Sequence, residues 1–188
     1  ALDFVDFGGG LKVAYKEDDP ATDMEAFAEK FNKKFDDFCA EYGKDLTAVF
    51  EFGKFMVSES GYFLCRVNVI KPSANLMFAG VDSGFNHFIR PMYYGAYHHI
   101  TNLSNPDGKI KEYHVVGYIC ETDTFAKNRE ISEISKGDIL CFNNAGAYCF
   151  SMASNYNSRF LPAEVLVYKG TDYLIRERET FKDILRNQ

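Results

Sequence analysis

The segment TDMEAFAEKFNKKFDDFCAEYG, residues 22–43, constrains the fold of this chain more than any other. Met24, Phe27, Phe31, Phe35, Phe38 and Tyr42 recur at steps of three and four, the spacing that gathers side chains on one face of an α-helix. Thr22 or Asp23 stands at the N-cap position, and Gly43 follows the last periodic residue, where left-handed backbone ends helices. Apolar runs flank this helix and each ends in glycine: LDFVDFGGG at 2–10 and LTAVFEFG at 46–53. Strand, glycine, helix, strand, glycine is a βαβ rhythm and predicts a parallel sheet or barrel.

After about residue 58 the rhythm changes. YFLCRVNVI, LMFAGVDS, VVGYICE, DILCFNN and AEVLVYKGTDYLI read as strands, mostly separated by short polar turns, which is antiparallel β composition. TFKDILR at 180–186 reads as a short terminal helix. The expected organisation is the tail of an α/β unit over residues 1–58, joined to a mostly antiparallel β-domain over 59–188.

Composition narrows the class. Hydrophobic residues make up 46% of the 188, with 18 Phe and no Trp, so a folded core dominated by phenylalanine is expected. A net charge of −6 without a run of Lys or Arg argues against nucleic-acid binding, which wants a basic face. Apolar runs fall far short of the ~18–20 residues of a membrane span, and no signal-peptide pattern opens the chain. Five cysteines without metal-type CxxC spacing read as reduced thiols of a cytoplasmic protein. The chain opens on Ala1 and enters an apolar strand at once, so it is expected to be a piece of a longer protein.

Several motifs bear chemistry. The run Gly8, Gly9, Gly10 at a strand end lets backbone N–H groups approach a phosphate, although it equally reads as a tight turn. FEFGKF repeats the arrangement with Glu51, Gly53 and Lys54 after the next strand, and paired loops of this kind form phosphate sites in (β/α)8 barrels. Arg90 and Tyr94 stand four apart after Ile89, with Pro91 suited to a first helical turn. A guanidinium and a phenol on one face suit a carboxylate, while an arginine over a surface aromatic cluster is the plainer alternative. His98 and His99 are adjacent without a zinc-type partner, so no metal site is assigned. In NNAGAYCFSMASNYNSR, Tyr148 and Asn155 are candidate donors to an anion. Cys120 beside Glu121 in YICETDTF leaves four roles open: nucleophile, metal ligand, redox thiol or a small packing residue.

Taken in order, DFGGGL, FGKFMVSESG, GVDSGFNHFIRPMYYGAYHHI, VVGYICETDTFAKNREI, GDILCFNNAGAYCFSMASNYNSR and AEVLVYKG resemble the diaminopimelate decarboxylase family. These are pyridoxal-phosphate enzymes of the alanine-racemase-like fold type, fold type III. The resemblance covers essentially the whole chain. CE followed by DTF is closer to this family than to the ornithine or carboxynorspermidine decarboxylases, which are the alternative, as is a non-catalytic β-domain serving in dimerisation or binding.

The resemblance implies a fold and a set of roles. Residues 1–58 would be the last two βα units of a (β/α)8 barrel, and 59–188 the C-terminal β-domain. Gly8, Gly9 and Gly10 would give N–H groups to the phosphate of pyridoxal 5'-phosphate, helped by Gly53, Lys54 and the Tyr148 hydroxyl. Glu51 would pair with the pyridinium nitrogen. Arg90 and Tyr94, with Lys54 and Tyr148 beside them, would hold a substrate carboxylate. Glu121 would accept the ammonium at the D-configured centre of meso-diaminopimelate, and Cys120 would sit beside the same carbon, either donating the proton that replaces carbon dioxide in forming L-lysine or shaping the pocket there. In this family that cysteine reaches a neighbouring subunit's site, so the resemblance implies a homodimer with a shared active site.

Two departures stand out. The family pattern Glu-Pro-Gly-Arg is here Glu51-Phe52-Gly53-Lys54, which is expected to loosen the turn and replace a planar fork by a point charge. The family's Schiff-base lysine and cofactor-stacking histidine have no counterpart, so the 188 residues alone are expected to be inactive, with an open barrel edge leaving apolar surface exposed.

Overall fold

The computed structural model describes residues 1–16 and 18–188. Its first part is a βαβ unit. Strand β1 (Phe4–Asp6) pairs in parallel with β2 (Thr47–Val49), and helix α1 (Met24–Tyr42) connects them. Asp23, not Thr22, caps α1: its carboxylate accepts the Ala26 N–H, and Gly43 closes the helix in the left-handed region with its N–H on the Cys39 carbonyl. The phenylalanine stripe of α1 meets the two strand ends. Phe31 lies edge-on to Phe7 at 4.9 Å and to Phe50 at 4.8 Å between centroids. Packing stops partway along the stripe, since Phe38 and Tyr42 remain exposed.

A short helix, α2 (Gly53–Val57), and a single 3-10 turn at Ser58–Ser60 lead into the sheet. Its strands are β3 (Phe63–Ser73), β4 (Leu76–Val81), β5 (Ile100–Asn102), β6 (Ile110–Val116), β7 (Thr124–Ser132) and β8 (Ile139–Phe142), in the order β5-β8-β3-β4-β6-β7. Helix α3 (Arg90–Tyr94) lies between β4 and β5. Strand β3 is the spine: its first part, Phe63–Arg66, pairs with β8, and from Val67 onward it pairs with β4. Alternation along β3 turns Cys65 and Val67 inward, as a half-buried strand requires. Phe88, from the loop after β4, stacks on Phe63 at 5.0 Å and meets Phe142 edge-on at 5.6 Å. Val67, Ala79, Val81, Tyr113, Val115 and Leu140 complete a core with almost no exposure.

The β-domain is mostly antiparallel, as expected, but its sheet is mixed, because β4 and β6 pair in parallel. Two expectations change. The run VVGYICE is not strand throughout: β6 ends at Val116 and a turn follows, in which the Asp123 carboxylate takes the Ile119 N–H at 2.9 Å and draws the chain off the ladder. The ninefold run TFAKNREIS, not anticipated as a strand, forms β7 at the sheet edge. Beyond the sheet, β9 (Glu164–Tyr168) and β10 (Thr171–Arg176) make a separate antiparallel hairpin. Helix α4 (Phe181–Leu185) ends the fold, opened by a Thr180–Asp183 capping box.

Candidate active site

A cleft of about 700 Å³ opens where the loop after β1, the turn after β2, the segment around α3 and the loop after β8 converge. Gly9, Gly10, Lys12, Tyr15 and Lys16 form one wall, Glu51, Phe52 and Lys54 the floor, and Arg90, Tyr94, Tyr97 and Tyr148 the opposite side. The lining carries Lys12, Lys16, Lys54 and Arg90 against only Asp19 and Glu51, a local excess of cations in an acidic chain. Such a cleft favours anions.

The glycine loop is fixed by its contact with the turn. A Cβ at Gly9 would stand 2.9 Å from the Glu51 carbonyl oxygen, and the Glu51 N–H donates to the Gly8 carbonyl at 2.8 Å. Only glycine permits that approach. The Gly8 N–H is already committed, to the Asp6 carboxylate at 2.8 Å. Gly53 likewise donates to the Glu51 carbonyl at 2.8 Å. Of the backbone donors expected for a phosphate, Gly9 and Gly10 therefore remain: among the described residues neither N–H has a protein acceptor. The Gly8 and Gly53 N–H groups are engaged within the chain itself. The Gly53 backbone lies beneath the Tyr148 hydroxyl, which a Cβ would meet at 4.0 Å. Tyr148 holds a positive φ of 58°, a strained conformation for an aromatic residue, and so presents its phenol to the cleft.

Phe52 joins the aromatic packing beside the turn. Its ring stacks on Phe50 at 4.7 Å and meets Phe27 of α1 edge-on at 6.2 Å, so an aromatic layer holds the position that proline fills in the family pattern. Lys54 reaches the cleft with Nζ 5.8 Å from the Tyr15 ring centroid.

Arg90 is the centre of the site. It is buried, 9% exposed, at the start of α3 with Pro91 in the first turn, while Tyr94 one turn on is 58% exposed at the mouth. Tyr15, Tyr94 and Tyr148 surround the guanidinium with ring centroids 5.9–6.0 Å away. Its Nη2 donates to the Tyr15 hydroxyl at 3.3 Å and its Nε to His98 Nε2 at 3.4 Å. Among the described residues no carboxylate pairs with it. A buried cation without a counter-ion, facing a cleft, is built for an anionic ligand.

Cys120 and Glu121 do not line this cleft. They occupy the exposed turn between β6 and β7. The Cys120 thiol donates to Glu121 Oε2 at 3.4 Å, and the Tyr156 hydroxyl donates to Glu121 Oε1. That phenol holds the Glu121 carboxyl below its ordinary range. Asp123 fixes the turn from beneath, accepting the Phe85 and Ile119 N–H groups at 2.9 Å each. Cys120 is the one exposed thiol; Cys39, Cys65, Cys141 and Cys149 are buried and free, and burial raises the Cys149 thiol to about 12.

Sequence reasoning missed Tyr15, Lys12, Lys16 and Tyr97 on the cleft wall, and Tyr156 beneath Glu121. Tyr15 lies five residues beyond the glycine run, in a stretch without periodicity. Its place depends on Asp19, whose carboxylate accepts the Tyr15 and Lys16 N–H groups and pairs with Lys12 at 3.2 Å. Asn155 points elsewhere, its amide donating to Glu179 and to the Arg159 carbonyl. His98 and His99 join no metal-ligand cluster among the described residues. No helix among them is long and apolar enough to cross a membrane.

The glycine cradle, the carboxylate-bearing turn and the buried arginine define a class. Residues 22–146 match the family model of the pyridoxal-dependent decarboxylase C-terminal sheet domain, and the chain belongs to that family. Its relatives carry a narrower name. Diaminopimelate decarboxylase of Methanothermobacter thermautotrophicus is 47% identical over all of this chain and 44% of its own length, and that of Campylobacter jejuni is 40% identical over 97% and 44%. A crystal structure of diaminopimelate decarboxylase superposes on 99% of the chain and 47% of its own with a TM-score of 0.91 at 35% identity. A crystal structure of diaminopimelate decarboxylase from M. jannaschii in co-complex with L-lysine does so over 99% and 43% with a TM-score of 0.90 at 32% identity. The chain spans less than half the length of these relatives.

Proposed function

We propose that this chain supplies the C-terminal part of a pyridoxal-phosphate-dependent decarboxylase that converts meso-diaminopimelate to L-lysine and carbon dioxide. Residues 1–58 then form the last two βα units of a (β/α)8 barrel, and 59–188 the β-domain. The observation that carries the reading is Arg90, a buried guanidinium without a carboxylate partner, opening into the same cleft as the free N–H groups of Gly9 and Gly10.

The residues present fit the cofactor. Gly9 and Gly10 offer two N–H groups to its phosphate, the Tyr148 hydroxyl and Lys54 Nζ lie on the same cleft, and Glu51 supplies a carboxylate for its ring nitrogen. When bound, pyridoxal phosphate provides an electron-accepting ring for the pair left behind as carbon dioxide departs.

The protein's own contribution is selection and proton placement. Of the substrate's two carboxylates one must leave as a neutral molecule, and an arginine gripping it would stabilise the ground state against loss. Arg90 and Tyr94 therefore hold the carboxylate that stays on the product. The aromatic walls exclude water around that ion pair and strengthen it. Glu121 accepts a substrate ammonium, held ready as a carboxylate by Tyr156. Cys120 delivers a proton to the carbon that lost its carboxylate, the thiol lying beside Glu121. Because both sit on an exposed turn away from the cleft, they serve the cleft of a second copy, and the enzyme is a homodimer. These are reactions of small metabolites in the cytoplasm.

The test is turnover by the full-length enzyme with pyridoxal phosphate. Meso-diaminopimelate should be consumed with carbon dioxide release, and ornithine, which offers no second carboxylate to Arg90, should be poor. Preferred turnover of ornithine would overturn the substrate assignment.

A further inference from the structure

His98 is 2% exposed and stands behind Arg90, between the edges of Phe88 at 4.6 Å and Tyr15 at 5.3 Å. Its Nδ1 lies 2.8 Å from the Asn143 carbonyl oxygen, which accepts but cannot donate, so the proton of the neutral ring sits on Nδ1. Nε2 is then a lone pair, and it faces the Arg90 Nε–H. Burial, with the charges of Arg90 and Arg129 adding to it, drives the imidazole pKa down to about 4, so the ring stays neutral. The backbone here is pinned as well: Arg129 donates to the His98 carbonyl at 2.7 Å, and the Asn143 N–H donates to the His99 carbonyl at 2.9 Å.

We infer that His98 is a positioning residue whose Nε2 orients the Arg90 guanidinium, leaving its outer nitrogens for a ligand carboxylate. The inference rests on the assignment of Arg90 as the carboxylate binder. An arginine side chain has several freely turning bonds; the Tyr15 hydroxyl accepts from one end of the fork at Nη2, and His98 fixes the other through Nε. An aspartate or glutamate behind it would aim the fork but would also neutralise it and compete with the ligand. A neutral imidazole with a fixed tautomer aims the fork and leaves the charge available. The adjacent pair His98 and His99 thus divides its work by burial and not by metal chemistry. Of the two histidines, His98 is the one that touches the guanidinium.

The experiment uses full-length, pyridoxal-phosphate-loaded enzyme with L-lysine as the binding probe, measured by calorimetry, beside steady-state kinetics. His98→Gln places an oxygen acceptor where Nε2 stood and should bind L-lysine within about threefold of wild type. His98→Asn keeps polarity but places its acceptor at the Nδ1 position, and His98→Leu removes it. Both should weaken L-lysine about tenfold, with the loss of kcat/KM falling mainly on KM. Should the leucine variant not fold, the glutamine–asparagine pair carries the test. Nitrogen NMR of histidine-labelled wild type at neutral pH should find the His98 proton on Nδ1. A proton on Nε2, or equal weakening by Gln and Asn, overturns the inference alone. If Arg90→Gln leaves L-lysine affinity unchanged, the carboxylate assignment falls and this inference with it.

Discussion

The molecule presents two chemical regions built on opposite principles. The cleft gathers groups from four separate segments around a buried cation, and its geometry is set by backbone contact and aromatic packing. The Cys120–Glu121 turn is a single short exposed stretch, set by one buried carboxylate, Asp123, and one phenol, Tyr156. The first centres on one cation, Arg90, that is already buried and held by its neighbours. The second has little surrounding structure in one copy of the chain, and under the proposed shared site it gains its working environment only against a partner. A site divided in this way ties proton delivery to assembly.

Five experiments can break or sharpen this contrast. The largest effect is expected at Arg90: Arg90→Gln should lower kcat/KM roughly thousandfold, because a buried charge-assisted pair with the substrate is lost. A loss below tenfold would remove the cleft's central claim. Cys120→Ala should lower kcat roughly a hundredfold with KM little changed, the size expected for a proton donor. Mixing Cys120→Ala with Arg90→Gln subunits should restore about a quarter of wild-type activity, since half of the dimers are mixed and each of those holds one intact site. No recovery would mean that each subunit completes its own site.

The fourth is a pH effect confined to the cleft. The His98 pKa falls from 6.5 to about 4 on folding, so the native state binds fewer protons than the unfolded chain across that window. The stability tied to neutral His98 is complete above pH 6.5 and is lost as pH falls toward 4. Between pH 7 and pH 5 wild type should lose about 2 kcal/mol more than His98→Gln. Urea unfolding at both pH values checks it, and parallel losses would show that His98 is solvated. The smallest effect belongs to the exposed turn. Tyr156→Phe removes one hydrogen bond to a solvated carboxylate and should raise KM about threefold, with no change in urea midpoint.

The sequence made the two regions unequally legible. Helix α1 was readable to within a residue because an uninterrupted stripe and a glycine stop mark it. The motif residues of the cleft were readable because glycine and proline report backbone demands directly. Tyr15 was not, since a loop without periodicity is placed by Asp19, a contact no local pattern encodes. Strand β7 was missed because it is an edge strand rich in Lys, Asn, Arg and Glu, whose pairing with β6 supplies the order its composition lacks. The parallel pairing of β4 and β6 was invisible for a different reason: register between strands is decided by the crossover around α3 and β5, not within either strand. The end of β6 was misread because VVGYIC is apolar throughout, while a buried carboxylate three residues later turns the chain.

One feature of the cleft floor bears on how such a site can evolve. A Cβ on Gly146 would fall 1.8 Å from the Val57 carbonyl oxygen, and one on Gly61 would fall 2.4 Å from the Gly146 Cα. The Ala145 and Gly146 N–H groups donate across the same junction, to Gly61 and Ser58. Two main chains touch there without side chains between them, joining the Glu51–Lys54 floor to the loop that carries Tyr148. Phe52 and Lys54, which stand in place of proline and arginine, lie outside this junction. Any side chain added at the junction demands a simultaneous rebuilding of both loops, so sequence change at this site is confined to positions away from it.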